Sequence, residues 1–297
     1  MFRLTAVIIA LMVVACNRPE KKMNKDQFRE TLVEYLRTLP AEVAVSLDIP
    51  ARGIYIGIND TVSMHAASTM KVPVMIAAFR QAEKGKISLG DSVPVINRFS
   101  SIIDGSPYSL DITEDGGESL YDRIGRKESI QNLIENMIQY SGNLATNTLI
   151  EYLGAGNIQR TVELLGADGM KVLRGVEDIK AFEAGRSNTT DARALTLIFK
   201  AIVEGKAAGV KSTEQMILIL LGQKYNEKIP AGLPAGVKVA HKTGSITEID
   251  HDSGIIYPEG KPPYILTVLT RGFKDSTQAK SCIAEISGMV YRWYLNG

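Results

Sequence analysis

Two cysteines, Cys16 and Cys282, are all that the 297 residues contain. That excludes a disulfide framework, and with no Cys-x-x-Cys it excludes a zinc ribbon or a thioredoxin-like redox pair. The chain is long enough to bury a core without crosslinks. Histidine is nearly as scarce. His65, His241 and His251 have no metal-ligand spacing, so no metal is expected and no cofactor is called for. Charge of one sign is also missing: 34 basic and 33 acidic residues leave a formal +1. With no basic run interleaved with aromatics, nothing calls for nucleic acid. No Gly-x-Ser-x-Gly occurs, which argues against an ordinary Ser-His-Asp hydrolase. No internal repeat or low-complexity tract is visible. The remaining composition, 45% hydrophobic and 23% charged, is that of a globular protein of one large domain or two packed lobes.

The first residues read as a leader. Arg3 is a short positive region, and Leu4 to Val14 is an apolar run too short for a comfortable membrane span. The run ends in Val13-Val14-Ala15-Cys16, which resembles a bacterial lipobox. Residues 1–15 are then a lipoprotein signal peptide, and Cys16 is a lipidated N-terminus that ties the chain to the membrane. Residues 16–27 are polar and charged, a tether. The expected location is the cell envelope, lipid-anchored and facing the periplasm. Cys282, left without a partner, lies on an apolar helical face and is expected to be a buried free thiol.

Periodicity supplies the fold. Phe28, Leu32, Leu36 and Leu39 recur at helical spacing up to Pro40. Val43 to Ile49 and Ile54 to Ile58 alternate as two strands around a Pro50–Gly53 turn. Residues 68–85 form a helix apolar on most sides, hence central. Residues 98–127 are loop-like. Helices follow at 129–139, 144–153 closed by Gly154, and 157–165. Residues 171–190 show no clean period and read as a long functional loop, and 191–204 return to helix. Strands are expected at 237–242, 254–257 and 265–270, then a last helix at about 276–295. The fold class is α+β. An antiparallel five-stranded sheet built from both chain ends carries flanking helices, with an all-α lobe inserted between. The catalytic domain is residues 28–297. Within it, 28–75 and 192–297 make the α/β lobe and 76–191 the helical lobe, with the active site between them.

Three short patterns carry chemistry. Ser68-Thr69-Met70-Lys71 places serine and lysine on one face of a helix start, about 5–6 Å apart at Cβ. A neutral amine there can take the hydroxyl proton, and a charged one can support the alkoxide. The helix N-terminus also favours negative charge, and an unpartnered Lys71 on so apolar a helix would be costly. Ser141-Gly142-Asn143 lies between two helices. The hydroxyl can relay a proton and the amide can hold a carbonyl, although the same residues suit a plain turn. Lys242-Thr243-Gly244-Ser245 ends an apolar strand. Its lysine and hydroxyls can bind a carboxylate, Gly244 leaves room for a substrate, and the Ser245 N–H can face an oxyanion.

In this order the three form the set of class A β-lactamases and penicillin-binding proteins. The chain resembles the class A β-lactamase family from about residue 28 to 297, with further likeness in the stretches around Ser68, Ser141, Lys242 and residues 251–270. The resemblance implies a β-lactamase/transpeptidase-like fold and a small-molecule β-lactam or peptidoglycan-like substrate bound by a monomer. Ser68 is acylated, Lys71 assists proton transfer, and Ser141 protonates the departing nitrogen. Asn143 holds the acyl side chain, while Lys242, Thr243 and Ser245 bind the carboxylate beside Gly244. The Ser68 and Ser245 N–H groups form the oxyanion hole. Glu177 is the candidate for the acid that activates the deacylating water, with Asp178 the alternative.

The sequence departs from the family in three places. Ala181 stands where an asparagine is usual, in a loop about two residues short. Gly142 replaces a structural aspartate. The stretch between Ser68 and Ser141 is longer, including Ser106 to Leu120. Three readings stay open: a β-lactam hydrolase, a peptidase or esterase of the same fold, and a slow-deacylating sensor. The omega loop is what separates them.

Overall fold

The computed structural model describes residues 22–296, so the leader and Cys16 lie outside the described residues. Five strands form the main sheet: β1 Glu42–Ile49, β2 Ile54–Ile58, β3 Lys238–Ile246, β4 Ile249–Tyr257 and β5 Tyr264–Arg271. Their spatial order is β2-β1-β5-β4-β3, antiparallel throughout. The expected α+β fold is therefore present, its sheet closed by strands from the two ends of the chain. β3 and β4 run further than alternation indicated. Lys242 to Ser245 consequently lie inside β3, not at its end.

The sheet has two buried faces because its strands alternate in register. Val45 pairs with Val268 and Ile58, and these side chains pack on one side with Phe28 and Leu32 of α1 (Lys25–Arg37). The same layer holds Ile283, Ile286 and Val290 of the C-terminal helix. Asn24 caps α1 in a capping box with Gln27. The helix thus starts at Lys25, and residues 25–27 belong to it, not to a tether. On the other face a row of small hydroxyls crosses the sheet. Ser46 pairs with Thr267, Thr267 with Ser253, and Ser253 with Lys242. Thr267 Oγ1 bonds Ser253 at 2.6 Å and Thr196 at 2.8 Å. Thr196 belongs to a helix on that face, so small paired hydroxyls let helix and sheet approach without an unsatisfied polar atom.

The helical side is built around α2, Lys71–Glu83. Every residue from Lys71 to Phe79 is buried, which bears out a central helix. Its first turn differs from expectation: Ala67–Met70 is a 3₁₀ turn, and regular α-helix begins only at Lys71. α3 (Ile130–Gln139) is capped by Ser129, and α4 (Asn143–Leu153) stops at Gly154, whose φ of 80° suits glycine. α5 is Ala155–Leu164. The unperiodic stretch holds a short α6, Ile179–Glu183. α7, Ala192–Val203, is capped by Asp191. α8, Val210–Leu221, was not anticipated. α9 is Ser276–Asn296, and it buries Cys282 as a free thiol whose pKa burial pushes up to about 11.

The two chain ends are pinned together. Phe28 of α1 stacks on Trp293 of α9 at 4.5 Å between ring centroids, and Trp293 Nε1 donates to the Met23 carbonyl at 2.9 Å. Phe28→Ala removes a fully buried ring from this junction. It should cost about 3–5 kcal/mol of unfolding free energy in urea. A loss under about 1 kcal/mol would mean that the stack is not part of the core.

Candidate active site

The nucleophile candidate sits on a strained turn. Ala67, immediately before Ser68, has φ of 45°, uncommon for a residue with a Cβ. Its N–H donates to His65 Nδ1 at 3.0 Å, and Thr69 Oγ1 donates to the Ala66 carbonyl at 2.6 Å. Gly244 of β3 lies directly against this turn. A Cβ on it would stand 3.0 Å from Ser68 N and 3.1 Å from Ala67 Cβ. A side chain here would press on the serine turn, so glycine suits the close approach of the strand.

The Lys71 amine is anchored at the Ser141–Asn143 turn. Its Nζ donates to the Ser141 carbonyl at 2.6 Å, to Asn143 Oδ1 at 2.7 Å and to Ser141 Oγ at 3.3 Å. From the other side Lys242 Nζ reaches Ser141 Oγ at 3.1 Å and the Thr243 carbonyl at 2.7 Å. Both lysines are fully buried. Burial pulls the Lys71 amine down to about 7, against the charges of Asp115 and Glu177. Burial, together with the charges of Lys71 and Lys228, holds Lys242 well below the ordinary lysine range. The Ser141 hydroxyl therefore lies within reach of two amines whose pKa burial lowers, that of Lys71 to about 7. That is the arrangement a proton relay needs. Ser141 itself has φ of 59°, held so by the turn into α4.

Glu177 and Asp178 point to different tasks. Glu177 is half-buried, with φ of 61°, and its Oε1 accepts from Asn143 Nδ2 at 2.8 Å. Burial raises its pKa. One hydrogen-bonded line thus runs Glu177–Asn143–Lys71–Ser141–Lys242. Asp178 caps α6 through Ala181 N at 3.1 Å and accepts from Ser101 Oγ at 2.8 Å and Ile102 N at 2.9 Å. Burial alone would raise its pKa, but these bonds prevail and hold it below the ordinary value. Its carboxylate is spent on structure. Ala181 is buried and carries no amide to offer.

The outer edge of β3 closes the site, and behind it lies a buried ionic cluster that sequence reasoning missed. Lys228 Nζ meets Asp250 Oδ1 at 2.9 Å, Ser245 Oγ at 2.9 Å, the Gly244 carbonyl at 3.1 Å and the His251 carbonyl at 3.1 Å. Ser245 Oγ in turn donates to Asp250 Oδ1 at 2.7 Å. Ser245 is therefore oriented from below before any ligand arrives. The cleft above has two compartments. One, about 290 Å³, is lined by Ser68, Ser141, Lys228, Thr243, Ser245 and Lys280, among others, and is polar. The other, about 340 Å³, runs from Ser68 between Glu177 and the end of β3 and includes Val176, Ile179, Phe182 and Ile246. Every residue singled out in the three motifs is brought to this cleft or its floor; Asp178 alone has its carboxylate committed elsewhere.

The sequence profile described as "Beta-lactamase enzyme family" matches residues 26–294. The chain belongs to that family. A β-lactamase of Streptomyces fradiae is 26% identical over 184 residues, 59% of this chain and 60% of that protein. The chain thus spans less than two thirds of this relative. A Proteus vulgaris β-lactamase is 27% identical over 235 residues, 77% and 82% of the two chains. Among solved structures, a single-site mutant of PBP-A, an acyl-enzyme complex with penicillin G, superposes with TM-score 0.77 at 21% identity, covering 93% of this chain and 99% of that one. That likeness is one of fold. Family membership bears out the resemblance read from the three motifs.

The Lys228–Asp250 pair braces β3 from beneath. Asp250→Ala would leave a buried, uncompensated ammonium beneath β3. It should destabilise the fold by about 3–5 kcal/mol in chemical unfolding. Replacing both partners by apolar residues should recover much of that loss. If the single and double variants prove equally stable, the pair does not carry the strand.

Proposed function

We propose that this chain is a class A type serine β-lactamase that opens the β-lactam amide through an acyl-enzyme on Ser68. The observation that carries the reading is the Ser141 hydroxyl between two buried lysines, beside Ser68 and the edge of β3. Lys71, neutral near physiological pH, takes the Ser68 proton as Oγ attacks the lactam carbonyl. The C–N bond breaks, and Ser141 passes a proton to the leaving nitrogen, its own loss made good from the lysine pair. Lys242, Thr243 and Ser245 hold the substrate carboxylate, and the Ser68 and Ser245 N–H groups face the oxyanion. The second compartment takes the acyl side chain, and its Ile179, Phe182 and Ile246 walls favour an apolar one.

Hydrolysis of the ester falls to a water activated by Glu177. Its raised pKa suits a base operating near neutrality. The carboxylate is tied to Asn143, and no side-chain amide at position 181 steadies the water. Deacylation is therefore the slow step. That same feature supports a second reading, a penicillin-binding enzyme that acylates and stalls. We further propose that Cys16 carries lipid and holds the domain at the periplasmic side of the cell envelope, which palmitate labelling of wild type against Cys16→Ser would test.

Benzylpenicillin should add one whole penicillin mass to the intact protein, on Ser68, and Ser68→Ala should abolish the adduct. Lys71→Ala should slow its formation by about 10²–10⁴-fold. An adduct that forms unchanged on Ser68→Ala would overturn the assignment. Glu177→Gln should lengthen the adduct's lifetime, whereas a lifetime unaltered in that variant removes Glu177 as the base.

A further inference from the structure

We propose that Asp115, carried by the extended segment between α2 and α3, is a positioning residue for the Ser141–Asn143 turn and for Lys71. It takes over the work of the aspartate that Gly142 replaces. The proposal deepens the acyl-transfer reading above and rests on it for its chemical meaning.

The carboxylate is buried and fully used. Oδ1 accepts from Asn143 N and from Gly117 N, each at 2.8 Å. Oδ2 accepts from Leu144 N at 2.8 Å and from Tyr121 Oη at 3.1 Å. Asn143 and Leu144 open α4, so the acid satisfies two N–H groups that a helix start leaves without intrahelical partners. It also stands where the helix dipole welcomes negative charge. Gly142, the N-cap, has no side chain to do this. A Cβ on Gly142 would lie 1.9 Å from Asn136 Oδ1, so a side chain there would displace Asn136, and one on Gly117 would lie 2.4 Å from that oxygen and 2.8 Å from Gly142 Cα. Gly117 thus backs closely onto Gly142, and the acid is supplied by the covering segment as Asp115.

Its second effect is electrostatic. The charged groups facing Lys71 are Asp115, Glu177 and Lys242. Of the two carboxylates, Asp115 favours the protonated amine more strongly than Glu177 does. Asp115 also acts to raise the pKa of Glu177, Tyr121 and Tyr225. One buried carboxylate thus fixes the turn that aims Ser141 and Asn143, and keeps the Lys71 pKa from falling below about 7.

Two readouts in Asp115→Asn test this, and neither uses a β-lactam, so their failure is distinct from failure of the functional reading. The first is amide hydrogen exchange. An asparagine keeps one acceptor oxygen, so exchange at whichever of Asn143 and Leu144 then faces its NH2 group should rise by about tenfold or more, while the amides inside α3 stay protected. The second is NMR titration of the Lys71 Cε resonance, which should move at least about one pH unit lower when the opposite charge is removed. A purely structural cap would leave that titration in place. Should Asp115→Asn not fold, Asp115→Glu serves, with the same amides exposed and the Lys71 titration near its wild-type position because the charge remains. Unchanged exchange at both amides, exchange that rises equally throughout α3, or a Lys71 titration that stays put or moves up in Asp115→Asn would overturn the proposal.

Discussion

The site depends on two buried amines converging on one hydroxyl. The buried amines of Lys71 and Lys242 both reach Ser141 Oγ, which opens on the cleft. Two ammonium groups so placed repel each other, and each also suffers the cost of burial. Burial lowers the pKa of both amines, and the charge of Lys71 lowers that of Lys242 further, which favours their neutral forms. Carbonyl and amide oxygens of Ser141, Asn143 and Thr243 hold the amines in place. The fold exists to keep these three elements in register. α2 brings Lys71 from the helical side, the α3–α4 turn brings Ser141, and β3 brings Lys242.

β3 can do this because it is the last strand of the sheet, with one edge paired to β4 and the other free. Gly244 lets that edge touch the Ser68 turn, and Lys228 with Asp250 fixes Ser245 from beneath. Glu177 is reached through Asn143, so the groups proposed for acylation and for deacylation share one network. The segment preceding α3 braces the far side of the cleft. Ser101 and Ile102 bind Asp178, and Asp104 and Ser106 bind Lys180 at 2.7 Å each. The loop that carries Glu177 is thus strapped from outside by residues of the segment before α3.

Local chemistry was legible in the sequence and remote chemistry was not. Strands β1, β2 and β5 announce themselves by alternation, and α3 and α7 by apolar spacing behind Ser129 and Asp191. Ser68 and Lys71 are near neighbours in the chain, so their spacing alone places them together. α8 was missed because Met216 to Leu221 is apolar without a face. Only Met216, Ile219 and Leu220 of that run are buried, while Leu218 is 67% exposed. The α1 start was misplaced because Lys25 and Gln27 look like tether until Asn24 is seen to cap them. Asp115, Lys228 and Asp250 left no signal, since each acts on a partner distant in sequence and none belongs to a spaced motif. Glu177 and Asp178 could not be separated by spacing. The bonds of Asp178 to Ser101 and Ile102, which only the fold creates, commit its carboxylate to structure and favour Glu177 for the proposed role.

The central claim is that Lys71 accepts the Ser68 proton as a neutral amine. Its most direct test is the rate of Ser68 acylation by benzylpenicillin against pH, in wild type and in Glu177→Gln. The account predicts an acid limb near the Lys71 value of about 7 in wild type. The limb should persist at somewhat lower pH in the variant, where one favourable charge is gone. A rate that stays flat through neutrality, or a limb that disappears with Glu177, would contradict it.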